Sequence, residues 1–375
     1  MNQQLSYQFA IIGGGLAGLT LAIQLRKKGC SVIVFEKESY PFHRVCGEYI
    51  SMESWRFLEQ LGVPLSTLNL PKITNLTISS PSGFTLSRKL DLGGFGISRY
   101  LLDNILYSLA IENGVIVNQN CTVLDVQQQL ITTTMGNYTA SIILGSWGKR
   151  SKMDAVLVRD FLQPHNRKLS NYVGVKYHVK ADLSNNVIEL HNFKNGYCGI
   201  SKIEDDRYCM CYLVSGSELK KAGGNIKKLE ETVLMKNPFL KKYFTQFPSL
   251  FEKPLTISQI SFESKSMTEG NILMLGDAAG LITPLCGNGM SMALHSSSLI
   301  AQQLIKHIDG QQTFSEVTYN YQQNWNFHFA KRLKMGRFIQ SLFGNSNLTD
   351  LTIGLLKPFP FLTDALIKQT HGKPF

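Results

Sequence analysis

The first forty residues alternate short apolar runs with an amphipathic stretch. Residues 9–12 form an apolar run that predicts a buried strand, and residues 31–35 predict a second one. Between these runs, apolar side chains recur on one face from Leu16 onwards, which predicts a helix that ends at Gly29. Strand, helix and strand in this order indicate an α/β fold with a Rossmann-like, parallel sheet.

Further along the chain, apolar and polar residues alternate with a period of two. Residues 73–97 alternate around a Pro-Ser-Gly turn and predict a β-hairpin. In residues 173–179 the valines alternate with Gly174, Lys176 and His178, which predicts a strand with one solvated face. We therefore expect an inserted antiparallel β-sheet that covers a bound ligand and shapes a substrate pocket. Further strands of this sheet are predicted at residues 187–193, 197–203 and 207–214.

The remaining pattern predicts helices at residues 52–61, 99–112, 225–236 (ended by Pro238) and 290–305, and a basic helical region after Gly310. Strands are predicted at residues 115–117, 122–126, 131–134, 142–144 and 272–275.

Composition narrows the class of protein. The chain has 375 residues, of which 43% are hydrophobic and 17% charged, as in ordinary soluble proteins with room for two domains. We find neither a long apolar run nor a secretory signal. The seven cysteines are scattered, which favours reduced thiols and a cytoplasmic location.

The formal net charge of +11 leaves the kind of partner open. No basic stripe is interleaved with aromatic residues, so we expect no nucleic-acid binding. The charge fits a solvated surface that attracts the phosphates of a dinucleotide. It also fits contact with an anionic membrane surface or an acidic carrier protein.

A glycine motif joins the first strand to the first helix. Gly13, Gly15 and Gly18 have the G-x-G-x-x-G spacing, and Glu36 follows the second strand about 20 residues later. Gly13 permits a tight turn, Gly15 lets the backbone approach a pyrophosphate, and Gly18 lets helix and strand pack closely. The helix N-terminus offers N–H groups to the phosphates, and a carboxylate at Glu36 can accept the ribose hydroxyls. The motif predicts a dinucleotide site.

A second pair of motifs favours FAD over NAD. Gly276 and Asp277 follow a predicted buried strand, where Asp277 can accept a hydrogen bond from a ribityl hydroxyl. Gly287, Asn288 and Gly289 then open a helix, whose N-terminus can stabilise negative charge on a reduced flavin.

With these motifs in order, the chain resembles the FAD-dependent oxidoreductases that include aromatic hydroxylases, flavin halogenases and geranylgeranyl reductases. The resemblance implies that Arg44 lies over the FAD phosphates or ring, that Arg99 lies near the dinucleotide, and that the strand at Val123 meets the adenine through its backbone. The predicted cofactor contacts are Gly13, Gly15, Ala17, Gly18, Glu36, Lys37, Arg44, Cys46, Gly47, Arg99, Val123, Gly276, Asp277, Gly287, Asn288 and Gly289.

The geranylgeranyl reductase-like branch resembles the chain most in its loops. Residues 41–48 are similar to that branch's Pro…Lys/Arg-x-Cys-Gly-Gly loop, with Glu48 in place of the last glycine, and residues 284–289 are similar to its Pro-Leu-x-Gly-x-Gly. Of an aromatic Tyr-x-Trp-x-Phe motif only Tyr197 is present, so we expect a diverged substrate pocket. Ser146 and Trp147 stand where many relatives have Ala-Asp, which leaves direct docking of NAD(P)H open.

Few side chains are candidates for catalysis. We interpret Cys46 as a thiol near the flavin that could donate a proton, with a small packing residue as the alternative. Tyr197 could face the substrate or simply pack. His43 and Glu48 could act as acid or base, but exposed loop charges are the favoured interpretation. Cys209 and Cys211 share a strand face, but no histidine or carboxylate is expected beside them, so no metal site is predicted.

Three functions compete. The leading one is an FAD-dependent reductase or dehydrogenase that acts by hydride transfer at flavin N5 on a small apolar substrate, such as a lipid, isoprenoid or polyketide. The second is a monooxygenase or, less favoured, a halogenase that uses a C4a-hydroperoxyflavin; the halogenase motif Trp-x-Trp-x-Ile-Pro is absent. The third is a protein that holds FAD for structure or non-redox cyclisation. Electrons are expected from NAD(P)H or from a separate reductase.

The predicted domain order interleaves two units. FAD-binding segments are predicted at 1–72, 98–155 and 266–310, and the substrate domain at 73–97 and 156–265. Residues 311–375 form a C-terminal helical region. Its basic residues, from Lys331 to Arg337, precede apolar ones, so this region packs on the FAD-binding domain or lies on a membrane.

Overall fold

The computed structural model describes residues 6–163, 171–283, 287–343 and 346–375. Its strands, in chain order, are β1 (Ser6–Ile12), β2 (Val32–Phe35), β3 (Tyr49–Ser51), β4 (Lys72–Ser79), β5 (Thr85–Gly96), β6 (Ile116–Asn118), β7 (Val123–Gln127), β8 (Leu130–Thr133), β9 (Gly136–Gly145), β10 (Tyr172–Val179), β11 (Val187–Phe193), β12 (Gly196–Lys202), β13 (Tyr208–Ser215), β14 (Leu255–Ile260), β15 (Thr268–Glu269) and β16 (Ile272–Met274).

The α-helices are α1 (Leu16–Arg26), α2 (Trp55–Leu61), α3 (Arg99–Glu112), α4 (Lys152–Val156), α5 (Gly216–Lys221), α6 (Ile226–Thr232), α7 (Pro238–Gln246), α8 (Gly289–Ile308), α9 (Phe314–Trp325), α10 (Lys331–Phe343), α11 (Ser346–Leu356) and α12 (Pro360–Thr370).

One sheet has a parallel centre in the order β16-β9-β1-β2-β6. The β7–β8 hairpin pairs with β9, and β15 pairs with β16, both antiparallel. Helices α1 and α8 pack on each other beside this sheet, joined by a hydrogen bond of 2.7 Å between the hydroxyls of Thr20 and Ser297. The predicted α/β fold is confirmed, and the carboxyl ends of β1, β2, β9 and β16 form the crevice where such sheets bind ligands.

The second sheet has the order β14-β10-β13-β12-β11-β4-β5-β3. Its pairs are antiparallel except β11 and β4, which run parallel where the β4–β5 hairpin meets the strands from residue 172 onwards. The hairpin and the later strands are adjacent in space although more than a hundred residues separate β4 from β11 in the chain.

Both faces of β10 are buried, so the prediction of a half-solvated strand is wrong. Val173, Val175 and Val179 pack with residues of α6 and α7 on one face. On the other face, Lys176 and His178 are buried against the loop of residues 41–48. Polar residues on an alternating strand mark solvent only where nothing covers that face; here they contact polar groups of the loop.

Several element boundaries differ from the predictions for identifiable reasons. Strand β9 is longer than residues 142–144 because its first half pairs with β8. Pro238 begins α7 instead of ending the preceding helix, since proline fits the first helical turn and the Asn237 side chain accepts the N–H groups of residues 239 and 240. Helix α6 itself ends at Thr232.

The last three helices cover the second sheet. Ile339 of α10, Ile353 of α11 and Ile367 of α12 pack on its apolar residues. Arg332 is buried and pairs with Glu53 at 3.5 Å, which ties α10 to the segment before α2. Within the described residues, no helix combines the length and apolar character needed to cross a bilayer.

Candidate functional site

The three motif glycines in the turn after β1 differ in how closely the rest of the protein packs against them. Gly13 has φ +105°, and a Cβ there would lie 2.4 Å from the carbonyl oxygen of Ser146. A Cβ on Gly18 would lie 2.1 Å from the Gly13 carbonyl oxygen. At Gly15 the nearest atom to such a Cβ is Arg99 Nη2, at 3.7 Å. The fold therefore demands Gly13 and Gly18 but leaves open space beside Gly15.

Two helix N-termini point their free N–H groups at the same crevice. Helix α1 begins after Gly15 and α8 after Asn288, and among the described residues no side chain caps either end. Helix α3 differs, because the hydroxyl of Ser98 accepts the N–H of Leu101. Uncapped helix N-termini are suited to anions.

Four charged side chains form a network beside the glycine turn. Arg44 donates to Glu36 and to Asp103, at 2.9 Å each, and Arg99 donates to both oxygens of Asp103 at 2.7 Å. Glu36 also accepts the N–H of Gly14 at 3.0 Å. The network fixes the Glu36 carboxylate at the end of β2, where the motif predicts the ribose.

The other predicted contacts of this half lie around the network. Ala17 is buried on α1, and Val123 is buried at the start of β7. Lys37 is exposed and lies 3.5 Å from Glu38. Their contacts with a cofactor stay predictions.

Three successive carbonyl groups of the loop before β3 are each held by a side chain. Lys176 Nζ donates to the Arg44 carbonyl at 3.1 Å, Lys149 Nζ to Val45 at 2.9 Å, and Cys209 Sγ to Cys46 at 3.2 Å. Lys176 and Cys209 come from the second sheet and Lys149 from the segment after β9. The loop that carries Cys46 and Gly47 is thus fixed from both units.

Glu48 adds a fourth anchor and is fully buried. Its carboxylate accepts from Lys176 Nζ at 2.5 Å, lies 2.6 Å from His178 Nε2, and accepts the Arg99 N–H at 2.7 Å. Burial alone would raise the pKa of Glu48, but Lys176 and His178 outweigh it and hold the pKa at about 2. The prediction that Glu48 is an exposed loop charge is wrong, because the second sheet supplies partners that the local sequence does not show.

The prediction that His43 is an exposed loop residue is also wrong. Its ring stacks on Tyr100 at 4.6 Å and meets the edges of His178 and Phe251, so it is half-buried. Burial, with the nearby Lys176, lowers the pKa of His43 to about 4. His43 is therefore neutral at physiological pH.

Glu48, His178 and Cys209 bring ligand atoms within 4.8 Å of one another, so the premise that no histidine or carboxylate joins the cysteines is wrong. The chemistry of the cluster nevertheless favours an ion pair over a metal. The ammonium of Lys176 already supplies the positive charge that Glu48 needs. Burial raises the pKa of Cys209 well above its ordinary value, which keeps the thiol protonated and donating to Cys46.

The turn after β16 forms the other wall of the crevice. Gly276 has φ +60°, and the side chain of Asp277 is half-buried. Lys265 Nζ donates to the Asp277 carbonyl at 2.8 Å, and burial lowers the pKa of Lys265 to about 8. Burial raises the pKa of Asp277, although Lys149 and Lys265 oppose it. Lys149 and Lys265 thus place positive charge near both walls.

The start of α8 carries polar atoms that the described chain leaves without partners. Asn288 donates its amide to the Thr370 carbonyl at 2.6 Å, while its Oδ1 is buried and has no partner among the described residues. The hydroxyl of Tyr49 is in the same situation, and a Cβ on Gly287 (φ +65°) would lie 3.2 Å from the Tyr49 ring. Pro284, Leu285 and Cys286, which belong to the predicted loop motif, lie outside the described residues.

Comparison with known proteins agrees with this geometry. A family model described as an NAD(P)-binding Rossmann-like domain matches residues 11–47, the segment of the glycine turn and the Arg44 loop. Digeranylgeranylglycerophospholipid reductase 1 of Methanopyrus kandleri is 23% identical over 92% of this chain and 93% of its own. The FAD-dependent monooxygenase janM of Penicillium janthinellum is 24% identical over 80% of this chain and 68% of its own.

The solved structures agree in fold. A flavin-dependent brominase superposes with a TM-score of 0.78 at 18% identity, over 97% of this chain and 93% of the brominase.

In sequence and in fold, the chain is similar to FAD-dependent oxidoreductases.

The residues of the crevice fit FAD, the cofactor that this similarity indicates. The space at Gly15 and the uncapped start of α1 suit a pyrophosphate. The uncapped start of α8 and the orphaned Asn288 Oδ1 suit the polar edge of a flavin ring. When bound, FAD supplies two-electron chemistry at its ring, and these residues would hold it.

Cys46 and Tyr197, the two catalytic candidates, lie at different positions of the same side of the second sheet. Cys46 is half-buried, and its carbonyl contacts Cys209 of β13. Tyr197 pairs with Leu213, four residues further along β13, which corresponds to about 13 Å along the strand. Tyr197 is buried in an apolar cluster with Tyr49, Ile73, Leu76, Leu86, Leu90, Leu190, Leu213, Ile260, Phe262, Leu281 and Ile353.

Sequence reasoning missed four site residues. Lys176 and His178 are the polar positions of an alternating strand, and alternation alone predicts a solvated face for them. Lys149 and Lys265 carry no motif, and only the fold places their ammonium groups on loop carbonyls.

Proposed function

We propose that this protein is an FAD-dependent reductase or dehydrogenase that transfers a hydride between the flavin and a small apolar substrate. The observation that carries the proposal is the composition of one sheet face. Lys176 and Cys209 of this face hold the loop of residues 41–48, and beside them the same face continues into the apolar cluster around Tyr197. An apolar wall beside a redox cofactor suits an isoprenoid-, lipid- or polyketide-like molecule.

Within this proposal the side chains of the sheet position and one loop residue reacts. Lys176, Lys149 and Cys209 hold the backbone of residues 44–46, so that the half-buried Cys46 has a fixed place at the crevice. Reduction of a double bond needs a proton in addition to the hydride, and the Cys46 thiol is the proposed donor. Tyr197 is proposed to contact the apolar part of the substrate.

The electron donor is proposed to be NAD(P)H that binds transiently, or a separate reductase. The sequence holds no second G-x-G-x-x-G unit. Trp147, at the position where many relatives have aspartate, donates its indole N–H to Asp154 at 2.9 Å. This contact keeps the Asp154 carboxylate occupied.

A monooxygenase is the second candidate, favoured by the similarity to janM and to the brominase fold. The two functions differ in what the product gains. The reconstituted protein would be incubated with FAD, a reducing system and a phospholipid and isoprenoid extract, with and without air, and the products analysed by mass spectrometry. A gain of two hydrogens without air supports the reductase; a gain of one oxygen atom, only in air, overturns it in favour of the monooxygenase. The Cys46→Ala variant, which keeps the loop backbone, should form less of the reduced product.

A further inference from the structure

An exposed apolar corner joins α11 to α12. We define it by Leu355, Phe359, Phe361 and Leu362, whose exposed fractions are 59%, 47%, 65% and 43%. Pro358 and Pro360 flank Phe359, and their fixed φ angles stiffen the turn. A group of large apolar side chains held outward on a stiff turn is typical of an interaction surface.

Neighbouring residues extend this surface. Leu351 lies one helical turn before Leu355, on the same face of α11, and is 59% exposed. The tip of the β4–β5 hairpin is joined to α11 by a hydrogen bond of 2.7 Å from Ser82 to Asp350, and it presents Phe84, which is 63% exposed. Arg88 of the same hairpin donates to the Lys357 carbonyl at 3.5 Å. The apolar corner and the hairpin tip therefore belong to one side of the molecule.

The charge of this side determines what it can bind. Residues 346–375 contain three lysines and two acidic residues. Lys357 lies within the corner and is exposed, and Lys89 is exposed on the hairpin. Lys368 pairs with Asp91 at 3.1 Å, with both side chains largely exposed, and the carboxylate of Asp350 accepts from Ser82. Basic residues around exposed phenylalanines and leucines match an anionic lipid surface.

We propose that the apolar corner docks this protein on an anionic phospholipid bilayer. The side chains of Phe359 and Phe361 enter the acyl boundary, and Lys357 and Lys89 contact the lipid headgroups. This places the docking surface on the α11–α12 corner and the hairpin tip. Helix α10 contributes less, because Ile339 packs inward and Arg332 is buried with Glu53.

The inner side of the same helices gives the docking a use. Ile353 and Ile367 pack on the apolar cluster that contains Tyr197. A docked protein thus has the bilayer on one side of α11 and α12 and the apolar wall of the site on the other. This step, that the bilayer delivers the substrate, rests on the proposed function; the docking itself does not.

The test is flotation of the full-length protein with FAD on vesicles of phosphatidylcholine alone or mixed with phosphatidylglycerol. The double variant Phe359→Ser/Phe361→Ser removes two rings of the corner, and Lys357→Glu reverses its charge. Phe327→Ser is the matched control, because Phe327 is 82% exposed but lies outside the surface. FAD content and the unfolding temperature of each variant report whether it is folded, and flotation needs no turnover.

We expect the wild type and Phe327→Ser to float with the mixed vesicles, less so in high salt, and the two corner variants to bind at least tenfold more weakly. Failure of the wild type to float on the anionic vesicles overturns the proposal, as does equal flotation of the corner double variant. A wild type that fails to float and is dimeric by light scattering, with a monomeric corner variant, overturns it in favour of an interface between copies. If the wild type floats on the anionic vesicles but converts no substrate, the proposed function alone is contradicted.

Discussion

Lys176 Nζ and Glu48 Oε1 lie 2.5 Å apart in a fully buried ion pair that holds the end of the loop of residues 41–48 on β10. Lys176 belongs to β10 of the second sheet, and Glu48 ends the loop that approaches the cofactor crevice. The same ammonium donates to the Arg44 carbonyl, and the same carboxylate accepts the N–H of Arg99 at the start of α3. This ion pair therefore fixes the loop of residues 41–48 against both β10 and the start of α3.

Substitution of Glu48 by glutamine should destabilise the protein by about 3–5 kcal/mol, because it leaves the Lys176 ammonium buried without a counter-charge. The double variant Glu48→Gln/Lys176→Met should recover at least about 1 kcal/mol of the summed losses. Urea denaturation of the apoprotein measures both. Asp206→Asn, which breaks the exposed pair with Lys202, is the control and should change nothing measurable. If the destabilisation of the double variant equals the sum of those of Glu48→Gln and Lys176→Met, the two side chains do not stabilise each other.

The backbone at Glu48 gives a second test at the same position. Its φ of +55° is in the left-handed region, where a Cβ is unfavourable. Glu48→Gly should therefore be more stable than Glu48→Ala by about 1 kcal/mol, although both lose the carboxylate. Parallel urea titrations of the two variants compare them directly. Equal stabilities would show that the loop relaxes out of this conformation.

Alanine substitutions at two glycines of the same motif should affect different properties, one the stability and the other FAD binding. Gly18→Ala should destabilise the apoprotein by about 2 kcal/mol or more, because its Cβ overlaps the Gly13 carbonyl. Gly15→Ala should leave the apoprotein nearly as stable as the wild type but weaken FAD binding by about tenfold or more, since its Cβ enters the space left for the pyrophosphate. Thermal unfolding and flavin fluorescence titration separate the two effects. Unchanged FAD affinity in Gly15→Ala would place the pyrophosphate elsewhere.

Removal of the Cys46 thiol should slow turnover and leave FAD bound. Because the loop is held through carbonyl groups, Cys46→Ala keeps every backbone anchor. Loss of a proton donor should lower kcat by about a hundredfold. Cys211→Ala, on the facing strand, is the control and should retain most of the activity. If both variants turn over as the wild type does, Cys46 has a packing role only.

Stability should fall as the pH is lowered, in two windows that overlap between about pH 4.5 and 3. Burial, with His328 and Arg332 nearby, lowers the pKa of His295 to about 3, so this histidine favours the folded state above pH 6.5, and that contribution is lost as the pH falls towards 3. Glu48, with its pKa of about 2, loses its contribution as the pH falls from about 4.5 towards 2. His295→Phe, which keeps a ring against Phe375, should flatten the upper window by at most about 1.4 kcal/mol per pH unit. Glu48→Gln should flatten the fall only below about pH 4.5. Denaturation at successive pH values would contradict this if Glu48→Gln changed the fall above pH 4.5, or if His295→Phe left that fall unchanged.

The cofactor half of the site was predictable from sequence because its residues are local. Gly13 to Gly18, Glu36 and the turn at Gly276 follow strands directly, and strand ends position them. The loop anchors were not predictable in the same way. Lys176 lies 128 residues from Glu48, and its burial depends on which sheet face the loop covers. Alternation in β10 indicated a face but could not say what lies on it.

An anaerobic absorbance experiment on the protein reconstituted with FAD and reduced with NADH, NADPH or dithionite tests both the flavin site and the proposed reaction. We predict flavin bands after reconstitution, bleaching on reduction, and return of the oxidised spectrum when the apolar extract is added without oxygen. Absence of bound flavin after reconstitution would contradict the site. Reoxidation that occurs only in air, with a product that has gained an oxygen atom, would contradict the proposed reductase.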